Sequence, residues 1–194
     1  TYNSYANALY RDYCLTLGFE DDAMLLTDAS RYQLAREVVM RYGEELDARI
    51  LDSELSVNTI VDGVLSLAGA MTDHGVTADQ VESHIAGLVN EIAKLPASAR
   101  AKVSVEQPIY QSLLSEIEGI ISTPMLAKLA EGFIHEKHAR GMIDYSDQVA
   151  LAERAVRELG ALVTDRERTN YKQVLLDEFQ DTSTLQTKLL AGLF

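Results

Sequence analysis

Tryptophan is absent from this sequence, and cysteine occurs once, at Cys14. A lone thiol closes no internal disulfide and builds no cysteine zinc site, which suits a reducing compartment; the cytoplasm is the expected location. Neither a low-complexity linker nor a fixed-period repeat divides the chain. No apolar run approaches the roughly 20 residues that a membrane helix needs, and no signal-peptide pattern is read in the opening residues, so no membrane partner is expected. Basic residues are scarce: 17 Lys and Arg stand against 30 Asp and Glu, for a formal net charge of −13. Binding to nucleic acid is dominated by cationic contacts to phosphate, so this balance argues against a simple electrostatic grip. Also missing is any GxxxxGK[ST] string, the loop whose backbone cradles nucleotide phosphates.

What is present is ordinary for a globular chain. The 194 residues are 47% hydrophobic and 24% charged, enough for one good core or two small ones. The negative charge is concentrated. Between Glu44 and Glu91 the only Lys or Arg is Arg49, whereas basic residues recur at Arg100 and Lys102, Lys137 and Arg140, Arg154 and Arg157, and Arg166 through Lys172. The acidic 44–91 segment is therefore expected to face solvent or a protein partner.

Helical periodicity dominates the chain. The opening predicts a helix capped by Ser4 or Asn3 and stopped near Gly18. Ser30 is placed as the N-cap of a second helix with Leu34, Val38 and Tyr42 on one face. Val57, Ile60, Val61, Val64, Leu65, Ala68 and Met71 mark a third, ending near His74-Gly75. Thr77 and Gln80 form a capping-box pattern ahead of Val81, Ile85, Leu88, Ile92 and Leu95, and Pro96 closes that helix. Another is expected over Gln107–Ile121, and a further one starts at Thr123 with Pro124 in its first turn. Ser146 or Asp144 caps a helix whose inner face is Val149, Ala152, Val156 and Leu159, stopped by Gly160. Thr164 to Glu167 predicts one more start, and Thr182-Ser183-Thr184 caps a last helix that buries Leu185, Leu189, Leu190 and Leu193.

One stretch stands apart, Val174-Leu175-Leu176-Asp177-Glu178-Phe179-Gln180-Asp181-Thr182. Three apolar residues entered through Tyr171 and Lys172 predict a short buried strand. Carboxylates at its carboxyl end would emerge at the rim of a sheet, where open α/β sheets bind ligands. Nucleotide hydrolysis uses such a pair: one carboxylate to hold Mg²⁺, its neighbour to orient or deprotonate the attacking water.

The string Asp177-Glu178-Phe179-Gln180-Asp181-Thr182 resembles the Walker B segment (motif II) of the UvrD/Rep/PcrA and RecB/AddA group of superfamily 1 DNA helicases. Thr1-Tyr2-Asn3-Ser4-Tyr5-Ala6 is similar to the motif Ib segment of the same group, with Asn3 where His is more usual. Asp144-Tyr145-Ser146-Asp147-Gln148-Val149 resembles the family's D-[FY]-x-D-[LI]-[LI] element, with Gln148-Val149 in place of two aliphatics. The resemblance implies a mainly α fold: a helical insertion (called 1B) at 19–140, flanked by partial pieces of a P-loop α/β ATPase domain at 1–18 and 141–194, with one short strand near the C-terminus. It implies that Asp177 ligates Mg²⁺ and Glu178 polarises the hydrolytic water. Gln180 and Asp181 would link nucleotide state to the DNA side, and Thr1, Tyr2, Asn3 and Ser4 would lie beside single-stranded DNA. ATP and Mg²⁺ are the implied cofactors, and single-stranded and duplex DNA the implied partners. The implied activity is that of a helicase or translocase, 3′-to-5′, in repair or recombination. The chain opens at Thr1 without methionine and lacks the phosphate loop, so it is expected to be an inactive piece of a longer protein that carries that loop upstream.

Other groupings read more plainly. His135 and His138 share a helical face, but the zincin pattern needs His-Glu-x-x-His and no third ligand follows. Asp144 and Asp147 read as capping residues. Lys137 and Arg140 are either phosphate contacts or partners of Glu131 and Asp144. Among nine tyrosines, Tyr2 and Tyr5 are the candidates for base stacking, whereas Tyr10, Tyr13, Tyr32 and Tyr42 fit core or boundary positions. Two alternatives stay open: a non-enzymatic helical interaction module docking through the 44–91 segment, and an all-α metal-dependent nucleotide pyrophosphatase.

Overall fold

A computed structural model of the chain describes residues 1–19, 23–42, 56–93 and 119–194. The 107–121 helix (save its last residues), the Pro96 stop, and residues 44–55 of the acidic 44–91 segment lie outside the described residues. In chain order the described elements are α1 (Tyr2–Tyr13), a 3-10 turn (Leu15–Leu17), β1 (Met24–Leu25), α2 (Asp28–Tyr42), α3 (Val57–His74), α4 (Ala78–Ala93), α5 (Thr123–Ala139), β2 (Met142–Ile143), α6 (Tyr145–Leu159), α7 (Ala161–Asn170), a 3-10 turn (Phe179–Asp181) and α8 (Thr184–Leu193). The fold is mainly helical.

Two apolar cores follow from the helical stripes. One gathers Leu34 and Val38 of α2, Ile60, Val61, Val64, Ala68 and Met71 of α3, and Ala127, Leu129, Ala130 and Phe133 of α5. The other packs Ala6, Leu9 and Tyr13 of α1 against Val149, Ala152 and Val156 of α6, Val163 of α7, and Leu185, Leu189 and Leu193 of α8. Each such aliphatic side chain, removed from water, contributes on the order of 1.5–3 kcal/mol, which is why the 3.6-residue pattern prevails over local propensity. A small third cluster, Tyr10, Cys14, Ile143 and Leu151, sits where the chain returns from β2 into α6. Of the four boundary tyrosines, Tyr10 and Tyr13 are buried, Tyr32 packs at the edge of the first core and Tyr42 is exposed.

The only sheet among the described residues is the parallel pair β1–β2, with Met24 opposite Met142 and Leu25 opposite Ile143. The Met24 N–H donates to Gly141 O and the Leu26 N–H to Ile143 O, each at 2.9 Å. The expected strand at 174–176 does not form. Its residues join no ladder, and Val174, Leu175 and Leu176 are all exposed, Leu175 at 84%. A strand exists only through the ladder it shares with a neighbour, and no described strand lies beside this one.

Helix starts are corrected in three places. The hydroxyl of Thr1, not Ser4 or Asn3, caps α1 by accepting the Ser4 N–H. Thr164 caps nothing: α7 begins at Ala161 directly after Gly160, which places Thr164 and Glu167 inside the helix. In α2, Thr27 Oγ1 accepts the Ser30 N–H, so the cap lies three residues before Ser30. Elsewhere the local signals hold. Asp144 and Asp147 form a reciprocal capping box on α6, Ser183 and Gln186 form one on α8, and Pro124 lies in the first turn of α5.

Candidate functional site: the acidic segment and the opening helix

The acidic segment runs over the surface between α7 and α8. Asp177 Oδ1 accepts the Glu178 N–H at 3.0 Å, and the Gln180 side-chain amide donates to the Glu178 carboxylate. Glu178 adopts φ 51° and ψ 43°, and it is the one non-glycine residue with positive φ among the described residues. For an L residue with a long side chain the left-handed region costs roughly 1–2 kcal/mol, so the surrounding turn must hold it there. That turn is Phe179–Asp181, closed by Asp181 N–H to Glu178 O at 2.9 Å and by Thr182 Oγ1, which donates to Phe179 O at 2.7 Å. Asp177, Glu178, Gln180 and Asp181 are all exposed.

The opening helix lies against this segment. Tyr2 Oη donates to Asp177 O at 3.3 Å, across 175 residues, and the Gln186 side-chain amide lies 3.5 Å from Asn3 Oδ1. Tyr5 Oη donates to Glu167 Oε2 at 2.7 Å, and its ring meets Tyr171 edge-on at 5.9 Å. Burial pushes the Tyr5 hydroxyl above its ordinary pKa, and the hydrogen bond and negative charge of Glu167 push it further. A groove of about 370 Å³ lies between these elements, lined by Tyr2, Tyr5, Leu175, Asp177 and Leu190 among others. Thr1, Tyr2, Asn3 and Ser4 occupy the N-cap and first turn of α1, so all four predicted DNA-side residues share a helix N-terminus. The contacts from α1 to Asp177 and Gln186 had no signal in the sequence, since no local pattern links residues so far apart.

Asp177 and Glu178 offer hard oxygen donors in an exposed position. That suits Mg²⁺, which keeps several waters and is held by one or two carboxylates together with substrate phosphates.

A second set of carboxylates sits elsewhere and has another character. Lys137, 1% exposed, places Nζ 2.8 Å from Asp144 Oδ2 and 2.6 Å from Asp147 Oδ2, and His138 Nε2 lies 3.0 Å from Asp147 Oδ1. Burial alone would raise the Asp147 carboxyl, but the His138 hydrogen bond and the Lys137 charge hold it below its usual range. Lys137 is thus an interior ion-pair partner rather than a phosphate contact. Arg140 is engaged on the surface by Glu136 and Glu37.

Comparison with known proteins decides the family. The profile of the UvrD/REP helicase N-terminal domain matches residues 1–194. The chain belongs to that family. The resemblance carried by the Asp177–Thr182 string is therefore borne out at the family level. An ATP-dependent helicase/nuclease subunit of Listeria innocua is 35% identical over 91 residues, 45% of this chain and 7% of that protein. The corresponding helicase/nuclease subunit of Lacticaseibacillus casei is 36% identical over 89 residues, 41% of this chain and 7% of that protein. The RecBCD enzyme subunit RecB of Escherichia coli K12 is 30% identical over 89 residues, 42% of this chain and 8% of that protein. The chain thus covers a small fraction of the length of these family members. Among the described residues, no helix is long and apolar enough to cross a membrane.

Proposed function

We propose that this chain is the part of an ATP-dependent DNA helicase or translocase that carries the Walker B carboxylates and the helical insertion. The observation that carries the proposal is the acidic segment itself. Asp177 and Glu178 stand at the end of an apolar stretch, with Glu178 in a left-handed conformation fixed by its own turn and with the α1 N-terminal turn against Asp177. In this proposal residues 1–18 and 141–194 belong to the ATPase domain and 19–140 form the 1B insertion. Val174–Leu176 would become a buried strand once neighbouring strands of the ATPase sheet pair with it.

Asp177 would hold Mg²⁺ and Glu178 would orient the attacking water, accepting its proton as the water attacks the γ-phosphorus. Mg²⁺, when bound with ATP, supplies positive charge that offsets the charge developing on the phosphate oxygens. Gln180 holds the Glu178 carboxylate, and Asp181 closes the turn that links it to α8. Tyr2 and Asn3 bring the DNA side of the motor within reach of the same segment, and the free N–H groups of the first turn of α1 suit phosphate oxygens. Movement would be 3′-to-5′ in repair or recombination, in the cytoplasm. The 194 residues alone would not hydrolyse ATP, because they contain no phosphate loop.

A pyrophosphatase built from helical carboxylates is disfavoured, since the clustered helical pair Asp144 and Asp147 is already taken by Lys137 and His138. The deciding measurement is ATP hydrolysis by the full-length parent with and without single-stranded DNA. We expect DNA to stimulate it and Glu178→Gln to lower it by on the order of a thousandfold or more while ATP still binds. Unchanged hydrolysis in Glu178→Gln would remove Glu178 from the mechanism and leave the interaction module as the better account.

A further inference from the structure

The turn between α3 and α4 reaches the helix that follows the acidic segment. Gly75 ends α3 with a left-handed φ of 64°, its N–H directed to Met71 O and Thr72 O. That bend brings His74 Nδ1 to 2.8 Å from Thr184 Oγ1, across 110 residues. Leu185 packs against the same turn so closely that a Cβ on Gly75 would stand 3.4 Å from Leu185 Cδ2. Beside this contact α3 and α8 face each other across a cleft of about 570 Å³, whose walls include Met71, Ile134, Arg154 and Lys188.

Thr184 is the first residue of α8, and a short chain of hydrogen bonds runs from that helix back to the carboxylates. Thr182 Oγ1 lies 3.3 Å from Thr187 Oγ1 in the first turn of α8 and donates to Phe179 O at 2.7 Å. Asp181 N–H closes the turn on Glu178 O, and Gln180 holds the Glu178 side chain. Because Glu178 sits in a costly backbone region, small shifts in the anchoring of this turn change where its carboxylate stands.

We propose that His74 is a positioning residue for Glu178: through Thr184 it fixes the first turn of α8, and with it the 178–182 turn, against the helical insertion. The proposal rests on the motor function proposed above and names a route by which the insertion sets the rate of hydrolysis. His74 and Thr184 are both exposed, so neither side chain is needed for either apolar core.

The test uses the full-length parent and four variants: His74→Ala, Thr184→Val, the double variant, and Thr184→Ser, which keeps the hydroxyl. DNA-stimulated hydrolysis is measured over a range of ATP concentration. We expect His74→Ala and Thr184→Val each to lower kcat roughly threefold with KM for ATP unchanged, the size of one lost solvent-exposed hydrogen bond. The double variant should be no slower than either single one, and Thr184→Ser should retain wild-type kcat. Wild-type kcat in both single variants, losses that multiply in the double, an effect confined to KM, or a Thr184→Ser as slow as Thr184→Val would each overturn the positioning role. Failure of the motor function looks different: the wild-type parent then shows no DNA-stimulated hydrolysis, and the positioning role falls with it. If the parent is active and stopped by Glu178→Gln while His74→Ala is indifferent, only the positioning role is lost.

Discussion

Two carboxylate groups in this chain look alike as strings and differ in everything physical. Asp144 and Asp147 are spaced three apart around the start of α6; Asp177, Glu178 and Asp181 are spaced similarly around a 3-10 turn. The first pair is drawn inward, ion-paired with the Lys137 ammonium, with His138 Nε2 at hydrogen-bond distance from Asp147, and spent on a capping box. The second group is exposed, engaged mainly with its own turn, and built on a left-handed residue. Charge that is buried and paired holds elements together; charge that stands exposed to water is open to a cation from outside. The difference lies in what the neighbouring helices bring, not in the acidic residues themselves.

The sharpest way to break this contrast is to remove the cation from the buried set. Lys137→Ala leaves two inward carboxylates without their ammonium partner, and we expect a loss of about 3–5 kcal/mol in urea unfolding of the 194-residue chain. A loss under about 1 kcal/mol would mean that water reaches the cluster. Acid should act on the same group. The Asp147 carboxyl is held below its ordinary value in the folded chain, so the folded state binds that proton less readily than the unfolded one. The resulting stability is present above the unfolded value of about 3.9 and is lost as pH falls from there through the folded value. Unfolding curves between neutral pH and pH 3 should show that loss in wild type and much less of it in Asp147→Asn, measured from its own lower plateau.

The exposed group should respond in the opposite sense. Glu178→Gly relieves a strained left-handed residue by roughly 1–2 kcal/mol and concedes part of that to a more flexible unfolded chain, so we expect a net gain of about 0.5–1 kcal/mol. In the parent, the same variant should lose hydrolysis. A destabilised Glu178→Gly would mean that the carboxylate supports the fold. The smallest effect belongs to the surface pair Arg154–Glu158, 2.8 Å apart on α6, where Glu158→Gln should change stability by less than about 0.5 kcal/mol.

These contrasts also mark what was legible in the sequence. Helices α3, α6 and α8 could be read because their apolar stripes and caps are local: Val149, Ala152 and Val156 on one face, Ser183 with Gln186 at one start. Asp144 could be read as a cap for the same reason. The family could be read because the Asp177–Thr182 string is long and specific. That 174–176 stays out of any strand could not be read, because pairing is supplied by other segments and none of the described ones lies there. Burial of Lys137 gave no local sign, since a lysine at a helix end ordinarily reaches water. Nor did the meeting of Tyr2 with Asp177 or of His74 with Thr184, each joined by the fold across more than half the chain.

The neck formed by β1 and β2 has a consequence for evolution. Met24 N–H bonds to Gly141 O and Leu26 N–H to Ile143 O, so the chain leaves and re-enters within a few ångströms of one place. On the division of the chain proposed above, a module mounted on so narrow a doorway could grow, shrink or be exchanged while its host keeps the same two closing hydrogen bonds. A graft cut between Leu26 and Gly141 is the natural unit for transplanting one such module into another.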